Sequence, residues 1–278
     1  MINPFELLKI KDLFNLKEWW EDKRYGKNKE LRALARRVLK VLDAHRIPTA
    51  RIQTVFPEFN LQFKDFKNLD SLISILNEQF LEAFSNKFFI NREWLETGEG
   101  NPQEQFEHGY ELQSIYDYLV KLKPSENQTI IAHFIAQTGT EFVPANNYDT
   151  HQGLVVALEF FEHDDPKSGF EYSRYQLLYV GYWHYYKTRM MIKAISLVCF
   201  KLGFIQKGWF SKYANHQGVE KYLVNEIFDH TNHNSWYPDD YIFTSKRSAC
   251  SKDDDDAQLF HNHLKEIGFY EKIKRINS

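Results

Sequence analysis

Cysteine is almost missing from this chain: Cys199 and Cys250 are the two thiols in 278 residues. Two thiols cannot build a disulfide framework, and Cys199 sits in the apolar run Leu197-Val198-Cys199-Phe200, so both are expected to be reduced and Cys199 to be inert packing. An excess of one charge is missing too. Lys and Arg number 35 against 38 Asp and Glu, which means that any nucleic-acid surface has to be local rather than global. No apolar run reaches the roughly 20 residues of a membrane span, and the most apolar stretch, residues 190–200, is interrupted by Lys193. The start, Met1-Ile2-Asn3-Pro4-Phe5-Glu6, shows no basic leader followed by an apolar core, and the expectation is a soluble cytoplasmic protein. Enzyme signatures are absent as well: there is no G-x-S-x-G elbow, no G-x-x-x-x-G-K-[ST] loop and no G-x-G-x-x-G fingerprint. No catalytic residue, metal ligand or cofactor is nominated.

What is present divides into two kinds of pattern. Residues 30–43 carry a helical period, with Leu31, Leu34, Ala35, Val38, Val41 and Leu42 on one side. Pro48 ends that helix, and Thr49 is the expected N-cap of another over 50–56. Pro57-Glu58-Phe59 reads as a turn and Asn60 as the cap of a short helix reaching Lys67. From Asp70 a longer helix is expected, burying Ile73, Leu76, Phe80, Phe84 and Phe88. A last short helix carries Trp94 and Leu95 before a Gly-bounded exit. Residues 1–26 read as a helical extension and 101–127 as a linker with a connecting helix.

The segment Phe88-Phe89-Ile90-Asn91-Arg92-Glu93-Trp94-Leu95-Glu96-Thr97-Gly98-Glu99-Gly100 resembles the closing helix of XRE-like (Cro/CI phage-repressor) helix-turn-helix domains. The resemblance covers residues 27–100, about a quarter of the chain. It implies a compact DNA-binding helical domain and a protein of the transcription-regulator type. The pattern departs from the family in three places. Gln53 takes a position usually held by a small residue, Pro57-Glu58-Phe59 replaces a Gly-containing turn, and the third helix is short and rich in Phe. The autoproteolytic repressors of this type need a Ser-Lys dyad and an Ala-Gly cleavage site, which are not found here.

Contact with double-stranded DNA needs cations on phosphates and long polar side chains on base edges. Lys29, Arg32, Arg36 and Lys40 recur at helical spacing opposite the core stripe, with Arg51 nearby in sequence, and Gln62, Lys64 and Lys67 mark the third helix. The ordinary alternative is a solvated helix face.

Beyond residue 128 the pattern changes. Residues 129–136, 153–161 and 172–180 read as buried strands, the last two joined as an antiparallel hairpin by Asp164-Asp165-Pro166-Lys167-Ser168-Gly169. Residues 183–202 read as a buried helix, 217–228 as a second, 241–244 as a last strand and 257–276 as a closing helix. Strands with helices packed on one face give an α+β domain over 128–278, and an α+β class for the whole chain.

In this half Arg174, Tyr182, Arg189 and Lys193 lie among many aromatic residues, a setting for a small anionic or aromatic ligand. Pairing of those cations with Glu159, Glu162 or Glu171 is the plainer alternative. His230-x-x-His233 and His261-x-His263 lack the companions of a zinc site, and Asp253-Asp254-Asp255-Asp256 reads as a solvated loop capping the next helix. The leading expectation is a DNA-binding regulator with a sensor or docking domain, able to form a homodimer and having no membrane partner. An interaction protein that keeps the helix-turn-helix-derived fold without DNA, and an enzyme with its site in the second domain, stay open beside it.

Overall fold

The computed structural model describes residues 29–106, 111–122, 124, 127–142, 152–163, 170–229, 231–246 and 252–276, with backbone alone at 229 and 231–234. The 1–26 extension, the 164–169 turn, His230 and Cys250 lie outside them. The described residues form eleven α-helices and one five-stranded sheet, an α+β protein whose helical part comes first.

Helix α1 (Lys29–Ala44) buries Leu34, Ala35, Val38, Val41 and Leu42 of the expected stripe, while Leu31, in its first turn where no described neighbour covers it, is exposed. It ends in a Schellman motif: Ile47 N–H reaches Leu42 O and Arg46 N–H reaches Asp43 O, each at 2.9 Å. Arg46 takes the left-handed position at φ 55°. The second expected helix is part tight turn (Thr49–Arg51) and part α2 (Ile52–Val55), and the residue at its N-cap is Pro48 rather than Thr49.

The expected third helix does not form as an α-helix. Two single turns, Pro57–Phe59 and Phe63–Phe66, stand in its place, separated by a left-handed Asn60 (φ 49°) that breaks helical continuity. The long helix expected from Asp70 is two: α3 (Leu69–Ile73) and α4 (Glu78–Phe88). Asn77 divides them because its side chain accepts the Phe80 N–H at 2.9 Å, which starts a new helix.

Helix α5 (Arg92–Thr97) is capped at its start by Asn91, and at its end the Arg37 guanidinium donates to the carbonyls of Leu95 (2.7 Å) and Glu96 (2.5 Å). Gly98, at φ 84°, supplies the left-handed exit that the sequence pattern implied. Phe56, Phe80, Phe84 and Phe88 lie with ring centroids 5.0–5.8 Å apart at the centre of this helical unit.

After α6 (Leu112–Lys121) come β1 (Gln128–Gln137), β2 (Gly153–Glu162) and β3 (Tyr172–Tyr182), an antiparallel meander. Helix α7 (Tyr186–Lys201) crosses back so that β4 (Ile205–Ser211) lies parallel to β1. Short helices α8 (His216–Lys221) and α9 (Val224–Asp229) precede β5 (Thr231–Trp236), and α10 (Asp254–Glu266) and α11 (Tyr270–Lys274) close the chain. The strand order is β3-β2-β1-β4-β5.

Strand β4 escaped the sequence pattern because Lys207 and Gly208 interrupt its apolar alternation. Strand β5 escaped it because a polar stretch on a sheet edge looks like a loop. The strand expected at 241–244 is not found; Pro238–Tyr241 is a tight turn. The helix expected over 217–228 breaks at Leu223, which turns away to join the core of the helical unit. The helix expected over 257–276 breaks at Gly268 (φ 69°).

Helices cover both faces of the sheet, not one. On one face Ile130, Ala132, Phe134, Leu154, Val156 and Leu158 share a core with residues of α6, α7, α10 and α11. On the other face Ile135, Val155, Ala157 and Leu177 pack under α8 and α9, and the helical unit completes that cover. The join is close. The buried Gln103 amide reaches the carbonyls of Phe88 (3.0 Å), Phe89 (2.8 Å) and Tyr175 (2.7 Å), and Lys40 pairs with Glu226 of α9 at 3.2 Å.

Trp94 is buried in the helical core. Trp94→Ala is expected to lower the unfolding free energy by roughly 3–5 kcal/mol in urea titrations of the full chain, the cost of removing a large core ring.

Candidate functional site

Where α1 ends over the sheet, a cavity of about 370 Å³ opens between the two units. The chain from Ala44 to Arg46 forms one wall, β2 and β3 supply Glu159, Phe161, Tyr172, Ser173 and Tyr175, with Glu171 just before β3, and α9 supplies Asn225 and Phe228. The register explains why these meet. Glu159 of β2 faces Tyr175 of β3, and Ser173 lies two residues along the same strand.

The Glu159 carboxylate, 9% exposed, accepts from three neutral donors. These are His133 Nε2–H at 2.7 Å, Ser173 Oγ–H at 2.5 Å and Tyr175 OH at 3.2 Å. Behind it Trp209 Nε1–H donates to His133 Nδ1 at 2.9 Å. That bond fixes the tautomer, since an Nδ1 that accepts leaves the proton on Nε2, where it meets Glu159. Burial pushes the His133 pKa down against the pull of Glu159, which keeps the ring neutral. Burial works to raise the Glu159 pKa, but the bonds from His133, Ser173 and Tyr175 hold it below the usual carboxylate value. The result is an ionised carboxylate with no Lys or Arg within salt-bridge distance among the described residues.

His45 stands at the end of α1, 3% exposed, with its ring 4.7 Å from Phe88 and 5.9 Å from Tyr175. Its Nδ1–H donates to Val41 O at 2.8 Å, so Nε2 is an acceptor, and no described group donates to it. The Asn225 amide donates to the Ala44 carbonyl, and its Oδ1 likewise has no donor among the described residues. Burial, opposed by the Val41 bond and helped by Arg174, brings the His45 pKa down to about 4.

The residues singled out for a ligand do not converge. Arg174 pairs with Glu162 at 2.5 Å and lies over the rings of Phe160 and Phe89. Arg189 and Lys193 are buried and both pair with Asp256. The Arg189 guanidinium meets that carboxylate at 3.0–3.1 Å and also donates to the carbonyls of Trp183 and His184. Asp256 is thus a buried counterion rather than part of a solvated loop, while Asp253 does cap α10 by accepting the Asp256 N–H. Tyr182 lines a different cavity, of about 480 Å³, with Tyr179, Tyr185, Thr188, Met191 and His216. It lies eight residues along β3 from Arg174, about 26 Å for an extended strand.

The DNA-contact candidates also separate. Arg32 is 4% exposed and pairs with Asp70 at 2.8 Å, so it points into the fold and is not part of an outward stripe. Arg36 is half-buried, and Lys40 is engaged with Glu226 and lies 5.9 Å from the Trp94 ring centroid. Lys29, Arg51, Gln62, Lys64 and Lys67 are exposed, and the turns bearing Arg51 and Lys64 pack together.

The histidine pairs form no metal cluster among the described residues: His261 is buried against the Ile242 carbonyl, and His263 lies beside the Tyr186 ring. Cys199 is buried, and burial pushes its thiol pKa up, which keeps it protonated. No described helix is long and apolar enough to cross a membrane. No protein-family model, curated protein or solved structure matches the chain.

Sequence reasoning passed over His133 and His45, and took Glu159 only as a partner for Arg. A usable signal was there: His133 and Glu159 each interrupt an otherwise apolar strand, and a polar residue in such a place needs partners.

Two outcomes follow from these buried groups. The His45 pKa lies below its unfolded value of about 6.5, so the unfolded chain binds the extra proton more readily. Stability contributed by the neutral ring is therefore present above pH 6.5 and is lost as the pH falls towards 4, by about 3 kcal/mol. Urea unfolding from pH 7 to 4 is expected to show a shallower decline in His45→Gln than in the parent. In the second case, Asp256→Asn strands two buried cations and is expected to cost about 3–5 kcal/mol in the same titration at pH 7.

Proposed function

We propose that this protein is a ligand-responsive DNA-binding regulator. The helical unit is its output and the cavity at the seam is its input. The observation that carries the reading is that α1 serves both parts: it forms the spine of the helical unit, and its last residue, Ala44, walls the cavity together with His45 and Arg46 just beyond it. A ligand held there touches the helical unit and the sheet together, so its binding free energy depends on how the two are arranged. Gln62, Lys64 and Lys67, all exposed on or beside the Phe63–Phe66 turn, make the DNA contacts in this reading, with Arg51 and Lys29 on phosphates.

Affinity of the full chain for duplex DNA, measured by fluorescence anisotropy between about 50 and 200 mM salt, tests this. Lys64→Ala with Lys67→Ala should weaken binding to all sequences alike and flatten the slope of log affinity against log salt by about 0.9 for each lost phosphate contact. Both side chains are exposed, so the fold should survive. Arg32→Ala should instead act mainly on stability, since that residue is committed to Asp70. No binding at the lowest salt would sink the DNA reading.

One observation favours a second reading, docking on another protein. Phe63, at the tip of the turn between Gln62 and Lys64, is 64% exposed. An exposed ring flanked by polar side chains suits a protein interface.

A further inference from the structure

We infer that the seam cavity takes an organic cation, an ammonium or guanidinium group carried on an apolar body of about one ring. The inference rests on reading the seam as the ligand site, and it fixes the chemistry of what enters.

Charge is the first ground. The cations that suggested an anionic ligand are engaged elsewhere and none of them lines the cavity: Arg174 pairs with Glu162, and Arg189 and Lys193 share the single carboxylate of Asp256. At the cavity itself the charge without a counterion is of the other sign. Glu159 is ionised, nearly buried and held by three neutral donors, with no Lys or Arg in salt-bridge reach among the described residues. A carboxylate in that state is stabilised by any cation brought near it. Glu171 adds a second negative charge to the lining, against the single positive charge of Arg46.

The walls are the second ground. Phe161, Tyr172, Tyr175 and Phe228 line the same cavity, and aromatic faces attract cations through their quadrupoles while covering an apolar body. Hydrogen-bonding polarity is the third. His45 Nε2 and Asn225 Oδ1, on residues 3% and 5% exposed that both line the cavity, are acceptors lacking donors among the described residues. The two atoms are themselves buried, but they give the wall an accepting character that suits an ammonium or guanidinium, which brings donors and no acceptors. An anion would bring the reverse, and would have to enter beside Glu159.

Arg46 opposes cation entry from the rim. It is exposed, and it occupies a left-handed position (φ 55°) in which glycine fits without strain. Arg46→Gly therefore removes the opposing charge at a backbone position that glycine adopts without strain.

Binding to the full chain at pH 7 and constant salt is measured by calorimetry with three probes of matched size: benzylammonium, benzyl alcohol and benzoate. Benzylammonium is expected to bind about tenfold more tightly than benzyl alcohol, a difference of about 1.4 kcal/mol, and benzoate not at all. Arg46→Gly should tighten benzylammonium about threefold and Glu171→Gln should weaken it about threefold, as single rim charges in a partly screened site do. Preference for benzoate overturns the proposal, as does absence of binding by all three probes to both the parent and Arg46→Gly. Benzylammonium binding that ignores both substitutions also overturns it, since the cation is then held elsewhere. The regulator reading fails separately, on the DNA titration: a chain that binds benzylammonium at the seam and no DNA keeps the cation site and loses the regulator.

Discussion

A sheet buried on both faces has to find a cover for each, and most of this structure follows from how the second cover is obtained. One face is closed by α6, α7, α10 and α11, drawn from its own half of the chain. On the other face α8 and α9 are six residues each and leave the β2–β3 end open. The helical unit fills that gap: Leu223, between α8 and α9, enters its core, and Tyr175 meets the His45 ring from the sheet side. The cover is incomplete where α1 ends, and the incompleteness is the cavity.

Charge is handled differently in the two covers. Under the first, Arg189 and Lys193 share the buried Asp256 carboxylate, so each cation there meets a carboxylate inside the protein. Under the second, Glu159 is stabilised by dipoles and not by a counter-charge, through the line Trp209–His133–Glu159 and the hydroxyls of Ser173 and Tyr175. Neutral donors keep a carboxylate ionised without cancelling its field. The first arrangement serves stability, whereas the second leaves a field for something else to meet.

In the helical unit two single turns stand where a third helix was expected, and the long helix expected from Asp70 is divided in two. Left-handed Asn60 and the short Phe63–Phe66 turn are local outcomes of the chain from Pro57 to Lys67, where Asn60 on one side and the Asn68 cap of α3 on the other leave too few residues to propagate a helix. What remains outward there is a small polar tip around Phe63, in place of a helix face. Arg32 shows the same limit from the other direction: helical spacing put it on a basic face, while the neighbouring α3 supplied Asp70 and drew it in.

Periodicity by itself determined the α+β class, the core stripe of α1, the Phe stack of α4, the three meander strands and α7, because each of these is a local apolar pattern long enough to be unmistakable. Capping chemistry determined the exit at Gly98. Tertiary structure alone decided where the helices break, since Asn77 and Leu223 act through a cap and a distant core. It alone decided that β4 and β5 are strands, because their partners and not their own composition hold them. It also decided which charges are left unmatched. Sequence places Arg189, Lys193 and Glu159 equally in apolar surroundings; the crossover of α7 and the docking of α10 bring Asp256 to the first two, and nothing comparable reaches Glu159. Pairing between residues 67 positions apart, such as Arg189 and Asp256, is a property of the packed chain, and no spacing rule carries it.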